Sequence, residues 1–152
     1  MRTGKDEVDL MSVLLNGTYA VMKTYTKPYA SCRYTHPSVE AAIHLRAQVR
    51  IGDIERIDIK TYSLAVAGHD HTDIPGSYSA KMSIPYATAT GLIYGKAGLQ
   101  EFSEESIRGE KVLNLTKKIH VESDDELSAM FPGALAAIVR ITKTDGSVLA
   151  ER

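Results

Sequence analysis

The sequence has one cysteine, almost no net charge and no long apolar run, and each shortage excludes a class of protein. The single thiol, Cys32, cannot form an intrachain disulfide or complete a cysteine-based zinc knuckle. A net charge of −1 gives no overall basic surface for nucleic acid or for a membrane. No apolar run approaches the roughly 18 residues that a membrane span needs. We therefore expect neither nucleic acid nor a membrane as a partner.

Size and composition are those of a compact domain. The chain has 152 residues, of which 43% are hydrophobic, which is typical of one soluble domain with a core. Residues 1–7 are polar and acidic where a signal peptide would become apolar, so the sequence predicts a cytoplasmic location.

Periodicity in the first two thirds of the chain alternates between strands and helices. Residues 18–25 alternate in polarity and predict a strand, and Thr35 with Pro37 predicts the start of a helix that ends near Gly52. A half-buried strand follows at 54–61. Residues 66–82 lack any period and predict a long loop, after which a helix should run from 85 to 94.

The last third continues the alternation and completes the fold prediction. A charged helix should follow Ser103, then a short strand at 119–122, a brief helix at 124–131 and a strand at 135–142. Asp145-Gly146 predicts a hairpin into the last strand. This order predicts an α+β, two-layer sandwich with a mixed or antiparallel sheet and helices on one face. We expect residues 1–152 to form one domain, with 1–10 flexible.

One short segment concentrates reactive side chains. Residues 27–37, KPYASCRYTHP, place two cations, two hydroxyls, a thiol and an imidazole in a turn that opens a helix. A helix N-terminus offers unpaired N–H groups and the positive end of the macrodipole, so the segment suits a carboxylate. Arg33 could hold a carboxylate through two parallel bonds, or it could pair with a nearby glutamate. Thr35 is favoured as a helix cap and Cys32 as a small buried residue.

The second candidate segment precedes the helix at 85–94. Tyr86 at its start would favour an anion, although its apolar neighbours also fit a core aromatic. Lys81 and Ser83 come just before it and could reach the same anion. His69-Asp70-His71 offers a weak metal pattern, which a solvated turn explains better.

These two segments, in this order, resemble the MmgE/PrpD family. The likeness rests on KPYASCRYTHP, on AKMSIPYATATGLIYGKAGLQEF at 80–102 and on FPGALAAIVRITKTDG at 131–146. The family includes 2-methylcitrate dehydratase, cis-aconitate decarboxylase and iminodisuccinate epimerase. The part resembled is its smaller C-terminal lid domain, so a large helical domain is expected as a partner, in the same protein or in another subunit.

The resemblance implies a metal-independent lyase or isomerase that acts on a di- or tricarboxylate without a cofactor. It implies that Lys27 and Tyr86 are catalytic. The expected substrate-binding residues are Ser31, Cys32, Arg33, His36, Lys81 and Ser83. It needs no covalent adduct on Cys32. Because His36 lies in the first helical turn, where the dipole opposes protonation, we expect a neutral, hydrogen-bonding imidazole, with packing at the helix start as an equal alternative. We expect a homo-oligomer such as a dimer, and four of these residues, Lys27, Arg33, Lys81 and Tyr86, should converge on one open edge.

A noncatalytic function fits the same residues. The chain could be a stand-alone module that binds a small anion or serves as an assembly surface, or a fragment of a longer protein. Dehydration, decarboxylation and epimerisation share one proton-transfer step next to a carboxylate, so the lid residues do not distinguish them.

Overall fold

A computed structural model describes residues 19–152. The predictions for residues 1–10 and for residue 18 fall outside the described part of the chain. Within residues 19–152, no helix is both long enough and apolar enough to cross a membrane.

Six α-helices lie in the described part of the chain. They are α1 (His36–Leu45), α2 (Ser63–Val66), α3 (Ser77–Met82), α4 (Ile84–Tyr94), α5 (Glu110–Thr116) and α6 (Asp125–Met130). Short 3-10 turns link several of them, including Arg33–Thr35 immediately before α1. Helix α4 ends where Gly95 adopts a φ of +69°, a left-handed conformation that glycine adopts without strain.

Among residues 19–152, four strands form one mixed sheet in the order β2-β1-β3-β4. They are β1 (Ile54–Thr61), β2 (Ile119–Ser123), β3 (Ala137–Lys143) and β4 (Val148–Glu151). Strand β1 pairs in parallel with β2 and antiparallel with β3, and β3 pairs antiparallel with β4. The β3–β4 hairpin turns at Gly146, whose φ is +81°, as the Asp-Gly pair predicts.

The helices cover one face of this sheet. Ile57 and Ile59 of β1 are fully buried, as are Val139 and Ile141 of β3, whereas Lys60 is exposed. Helix α4 lies at the centre, in contact with α1, α5 and β2, and its residues from 84 to 93 are all buried. The α+β sandwich predicted from the sequence is therefore confirmed.

Three local predictions are wrong. Residues 19–25 form a 3-10 turn at Ala20–Lys23 instead of a strand, and the alternating side chains of Tyr19, Val21 and Tyr25 are exposed, so no sheet covers them. The predicted loop at 66–82 contains helix α3. Thr35 precedes α1 without capping it, because its own backbone is helical and its hydroxyl bonds elsewhere.

Candidate functional site

Two backbone hydrogen bonds fix the segment that carries the reactive side chains. The N–H of Ala30 donates to the carbonyl of Ala97 over 2.9 Å, just beyond α4. The N–H of Cys32 donates to the carbonyl of Lys81 over 2.8 Å, just before α4. The segment thus lies beside the two chain stretches that flank the central helix, and the two bonds join residues 67 and 49 positions apart.

A solvent-open groove of about 610 Å³ lies along this crossing. We call it the lysine groove. Its lining comprises Lys27, Pro28, Tyr29, Ala30, Ser31, Cys32, Tyr78, Lys81, Met82, Gly98 and Leu99. Four of the predicted site residues therefore share one groove: Lys27, Ser31, Cys32 and Lys81.

The two lysines supply the positive charge of the groove. Lys27 is exposed, and its Nζ donates to the carbonyl oxygen of Ser31 over 3.2 Å, so the ammonium folds back along its own segment. Lys81 is half-buried in the last turn of α3. Because two positively charged side chains line the same groove, the groove favours an anion as its ligand.

The small polar side chains of the segment are mostly used for its own geometry. The hydroxyls of Ser31 and Thr35 bond to each other over 2.7 Å, and that of Thr35 also donates to the carbonyl of Cys32 over 2.9 Å. Ser31 and Thr35 are both buried. Ser31 lines the groove, but its hydroxyl already has a partner.

His69 lies directly behind the thiol of Cys32 and was missed as a site residue by the sequence reasoning. The Sγ of Cys32 lies 3.6 Å from Nε2 of His69. Nδ1 of the same ring lies 3.0 Å from the carbonyl oxygen of Ala67, which can only accept, so Nδ1 carries the proton. In the neutral ring Nε2 is then an acceptor that faces the thiol. The alternation in His69-Asp70-His71 was the available signal, but it pointed to a metal.

Arg33 and His36 line a neighbouring groove. This arginine groove, of about 440 Å³, also contains Pro28 and Tyr29, so the two grooves flank the same pair of residues. The guanidinium carbon of Arg33 lies 4.5 Å from the centre of the Tyr25 ring, a cation–π contact. Arg33 and Lys81 thus line different grooves, although the two grooves adjoin at Pro28 and Tyr29.

His36 is buried at the start of α1. Its Nε2 lies 3.3 Å from the carbonyl oxygen of Ser31 and donates to it. Burial lowers the pKa of His36 below its usual range, and the charges of Arg33 and Lys27 add to the effect, although the bond to Ser31 opposes it. A lowered pKa agrees with the expected neutral, hydrogen-bonding imidazole at His36.

Tyr86 lies inside the core instead of at an open edge. It has no exposed surface, and its hydroxyl donates to the backbone carbonyl of Glu101 over 3.0 Å. Burial raises the pKa of Tyr86 to about 12, so the phenol keeps its proton. The core-aromatic alternative describes this residue correctly, because the apolar neighbours that accompany it in the sequence also surround it in α4.

Ser83 is also buried, and its hydroxyl serves the local fold. The Oγ of Ser83 accepts from the N–H of Tyr86 over 3.1 Å, which caps α4, and donates to the carbonyl of His71 over 2.6 Å. The N–H of Ile84 donates to the carbonyl of His69 over 2.7 Å. These bonds attach the 69–71 loop to the start of α4, and they occupy the hydroxyl proton of Ser83, a residue with no exposed surface.

The histidines of the 69–71 loop have separate partners. Nε2 of His71 lies 3.0 Å from the hydroxyl of Ser79, whereas His69 faces Cys32. Across residues 19–152 no group of three or more His, Cys, Asp and Glu side chains is arranged to hold a metal ion.

Fold and groove together define an α+β domain with a cationic groove open to solvent. Residues 29–152 match the family model described as the MmgE/PrpD C-terminal domain, and the chain therefore belongs to the MmgE/PrpD family. The match includes Cys32, His69 and Lys81, and it begins two residues after Lys27. No curated protein matches the chain at a significant level.

Proposed function

We propose that the lysine groove binds one carboxylate of a small di- or tricarboxylate, as the lid half of a metal-independent lyase or isomerase. The reaction would be of the 2-methylcitrate dehydratase or cis-aconitate decarboxylase type. The observation that carries the proposal is that Lys27 and Lys81 line the same groove, in a chain that belongs to this family. The family assignment supports the reaction class, and the groove supports the charge of the ligand.

The proposed chemistry is a proton transfer on the carbon next to a carboxylate. Removing that proton builds negative charge on the carboxylate oxygens, so fixed cations stabilise the transition state more than the ground state. We assign this field to Lys27 and Lys81. Lys27 is the more exposed of the two. We therefore assign to Lys27 the role of the acid or base that exchanges a proton with the substrate.

Arg33 would bind a second carboxylate. A polycarboxylate presents more than one anionic group, and the arginine groove adjoins the lysine groove along Pro28 and Tyr29. A guanidinium suits bidentate contact with a carboxylate, whereas the buried His36, bonded to the Ser31 carbonyl, would position the segment that carries Arg33. Tyr86 and Ser83 have no role in this proposal, because both are buried with their hydroxyls bonded.

A noncatalytic anion-binding module is the second candidate. It is favoured by the interior position of Tyr86, which removes one of the two proton-transfer groups expected at the groove. Efficient proton transfer needs an acid and a base on opposite sides of the reacting carbon, and the groove offers one side. A protein that carries both this domain and a helical domain, yet shows no turnover of any polycarboxylate, would favour this candidate.

Citrate titration of the purified chain, followed by amide chemical shifts, tests the proposed ligand. Each charge-assisted contact on an open groove contributes about 1 kcal/mol, so we expect a dissociation constant no tighter than about millimolar, and no turnover. The shifts should cluster at residues 27–35 and 78–82. Salt should weaken the affinity, because exposed charges are screened over about 10 Å.

Lysine variants inside and outside the groove test whether citrate responds to the charge of the groove or to the net charge of the protein. Lys27→Gln together with Lys81→Gln should abolish the shifts. Lys60→Gln, which removes an exposed lysine from the solvent face of β1, should leave them unchanged. Shifts confined to His69 and His71, or equal affinity in the double variant, would contradict the proposal.

A further inference from the structure

The pair formed by Cys32 and His69 has a geometry that the proposed function does not use. Cys32 lines the lysine groove and is half-buried. His69 is only 9% exposed and lies behind the sulfur, with Nε2 at 3.6 Å. A thiol-bearing residue of the groove lining therefore has a buried imidazole within hydrogen-bond reach of its sulfur.

His69 is held in this position by several independent contacts. Nδ1–H donates to the carbonyl of Ala67, which fixes the tautomer and directs the lone pair of Nε2 toward the thiol. The ring of Tyr34 packs edge-on against the imidazole with centroids 5.3 Å apart, and Ile84 holds the backbone of the same loop. A nucleophile, a base and a group that orients the base are the three parts of an activated nucleophile.

We propose that Cys32 and His69 form a nucleophile–base pair that makes the lysine groove a covalent modification site for carboxylate-bearing electrophiles. The class includes α,β-unsaturated carboxylates and α-halo acids. The preference of this site for a carboxylate rests on the proposed function of the groove, because Lys27 and Lys81 would bind the carboxylate of the electrophile. The reactivity of the thiol rests on His69 alone.

The bond changes balance without an added oxidant or reductant. The proton of the Cys32 thiol passes to Nε2 of His69, and the sulfur attacks the β-carbon of the unsaturated acid. A C–S bond forms, the π electrons move to the α-carbon, and that carbon takes a proton from the imidazolium. With an α-halo acid the sulfur displaces halide, which leaves with its electron pair, and the imidazolium releases its proton to water. Both routes end in a thioether on Cys32.

Alkylation by iodoacetamide, a neutral reagent, tests the pair without involving the groove charge. Because Cys32 is the only cysteine, intact mass reports one site. We expect the folded chain at neutral pH to react roughly tenfold faster than the same chain unfolded in urea, since general-base assistance reaches that size or more. A folded chain that reacts more slowly than the unfolded one would overturn the proposal, because burial alone gives that result.

His69→Asn is the matched variant. The asparagine amide can keep the hydrogen bond to the Ala67 carbonyl, but it has no base at the Nε2 position. Its iodoacetamide rate should fall by about tenfold while the urea midpoint stays close to that of the wild type. His71→Asn, in the same loop but bonded to Ser79, is the control and should keep the wild-type rate. Equal rates in His69→Asn and the wild type would overturn the pair.

Iodoacetate tests the carboxylate preference separately. We expect the ratio of iodoacetate to iodoacetamide rates to exceed that of the unfolded chain, and to fall roughly two- to threefold in Lys27→Gln and again in Lys81→Gln. An unchanged ratio with an intact His69 effect would refute the charge role of the groove, and so the proposed function, but not the pair. Excess fumarate should add one fumarate mass to the wild type and none to Cys32→Ser; no adduct on the wild type would overturn the assignment of unsaturated acids.

Discussion

At the scale of single residues, Tyr86 shows that a reactive side chain can have a structural role. Tyr86→Phe keeps the ring and removes the hydroxyl that bonds to the carbonyl of Glu101. We expect the free energy of unfolding, measured in urea, to fall by about 1 kcal/mol, because a buried acceptor loses its donor. Tyr78→Phe makes the same change at a side chain that is 77% exposed, and it should have no measurable effect.

The same variant should change the pH dependence of stability. Burial raises the pKa of Tyr86 to about 12 from the ordinary 10.0. Between these values the unfolded phenol releases its proton and the folded one keeps it, so stability that is fully present below about pH 10 is lost as the pH rises toward 12. Wild-type stability should therefore fall more steeply above about pH 10 than that of Tyr86→Phe. A variant with wild-type stability that no longer binds citrate would instead assign the phenol to ligand binding.

At the scale of secondary structure, the close approach of α1 and α4 depends on Gly91. A Cβ at this position would lie 3.1 Å from the backbone oxygen of Val39 and 3.4 Å from the Cβ of Ala42. We expect Gly91→Leu to lower the free energy of unfolding by about 1–3 kcal/mol, despite the better helix propensity of leucine, because the facing helix backbone must move. Gly52→Leu is the matched control, since a Cβ there meets nothing within 4 Å. Equal urea midpoints for the two variants would show that the helices can separate without cost.

At the scale of the whole molecule, the rim of the lysine groove is apolar. Tyr78 and Leu99 line the groove, and each is 77% exposed. We expect the isolated chain to self-associate through this rim, because exposed apolar side chains gather at interfaces. In sedimentation experiments, Tyr78→Ser together with Leu99→Ser should shift the chain toward monomer, whereas Leu64→Ser, an exposed leucine on α2, should not. A wild-type chain that stays monomeric at high concentration would contradict this expectation.

Local sequence determined much of the fold. The alternation around Ile57 and Ile59 places one face of β1 in the core, the Asp-Gly pair turns the β3–β4 hairpin, and Gly95 ends α4. The two motifs, in order, also predicted the family. Each of these features depends on residues that are neighbours in the sequence, so periodicity and turn chemistry are sufficient to predict them.

Only the tertiary structure decided which reactive side chains meet. Cys32 and His69 are 37 positions apart, and they come together because the Cys32 N–H bonds to Lys81 while the His69 carbonyl bonds to Ile84. Both contacts lie at or just before the first turn of α4, and Tyr86 of the same turn is buried. No local pattern encodes such crossings, because they depend on long-range backbone hydrogen bonds and on the packing of α4 among its neighbours.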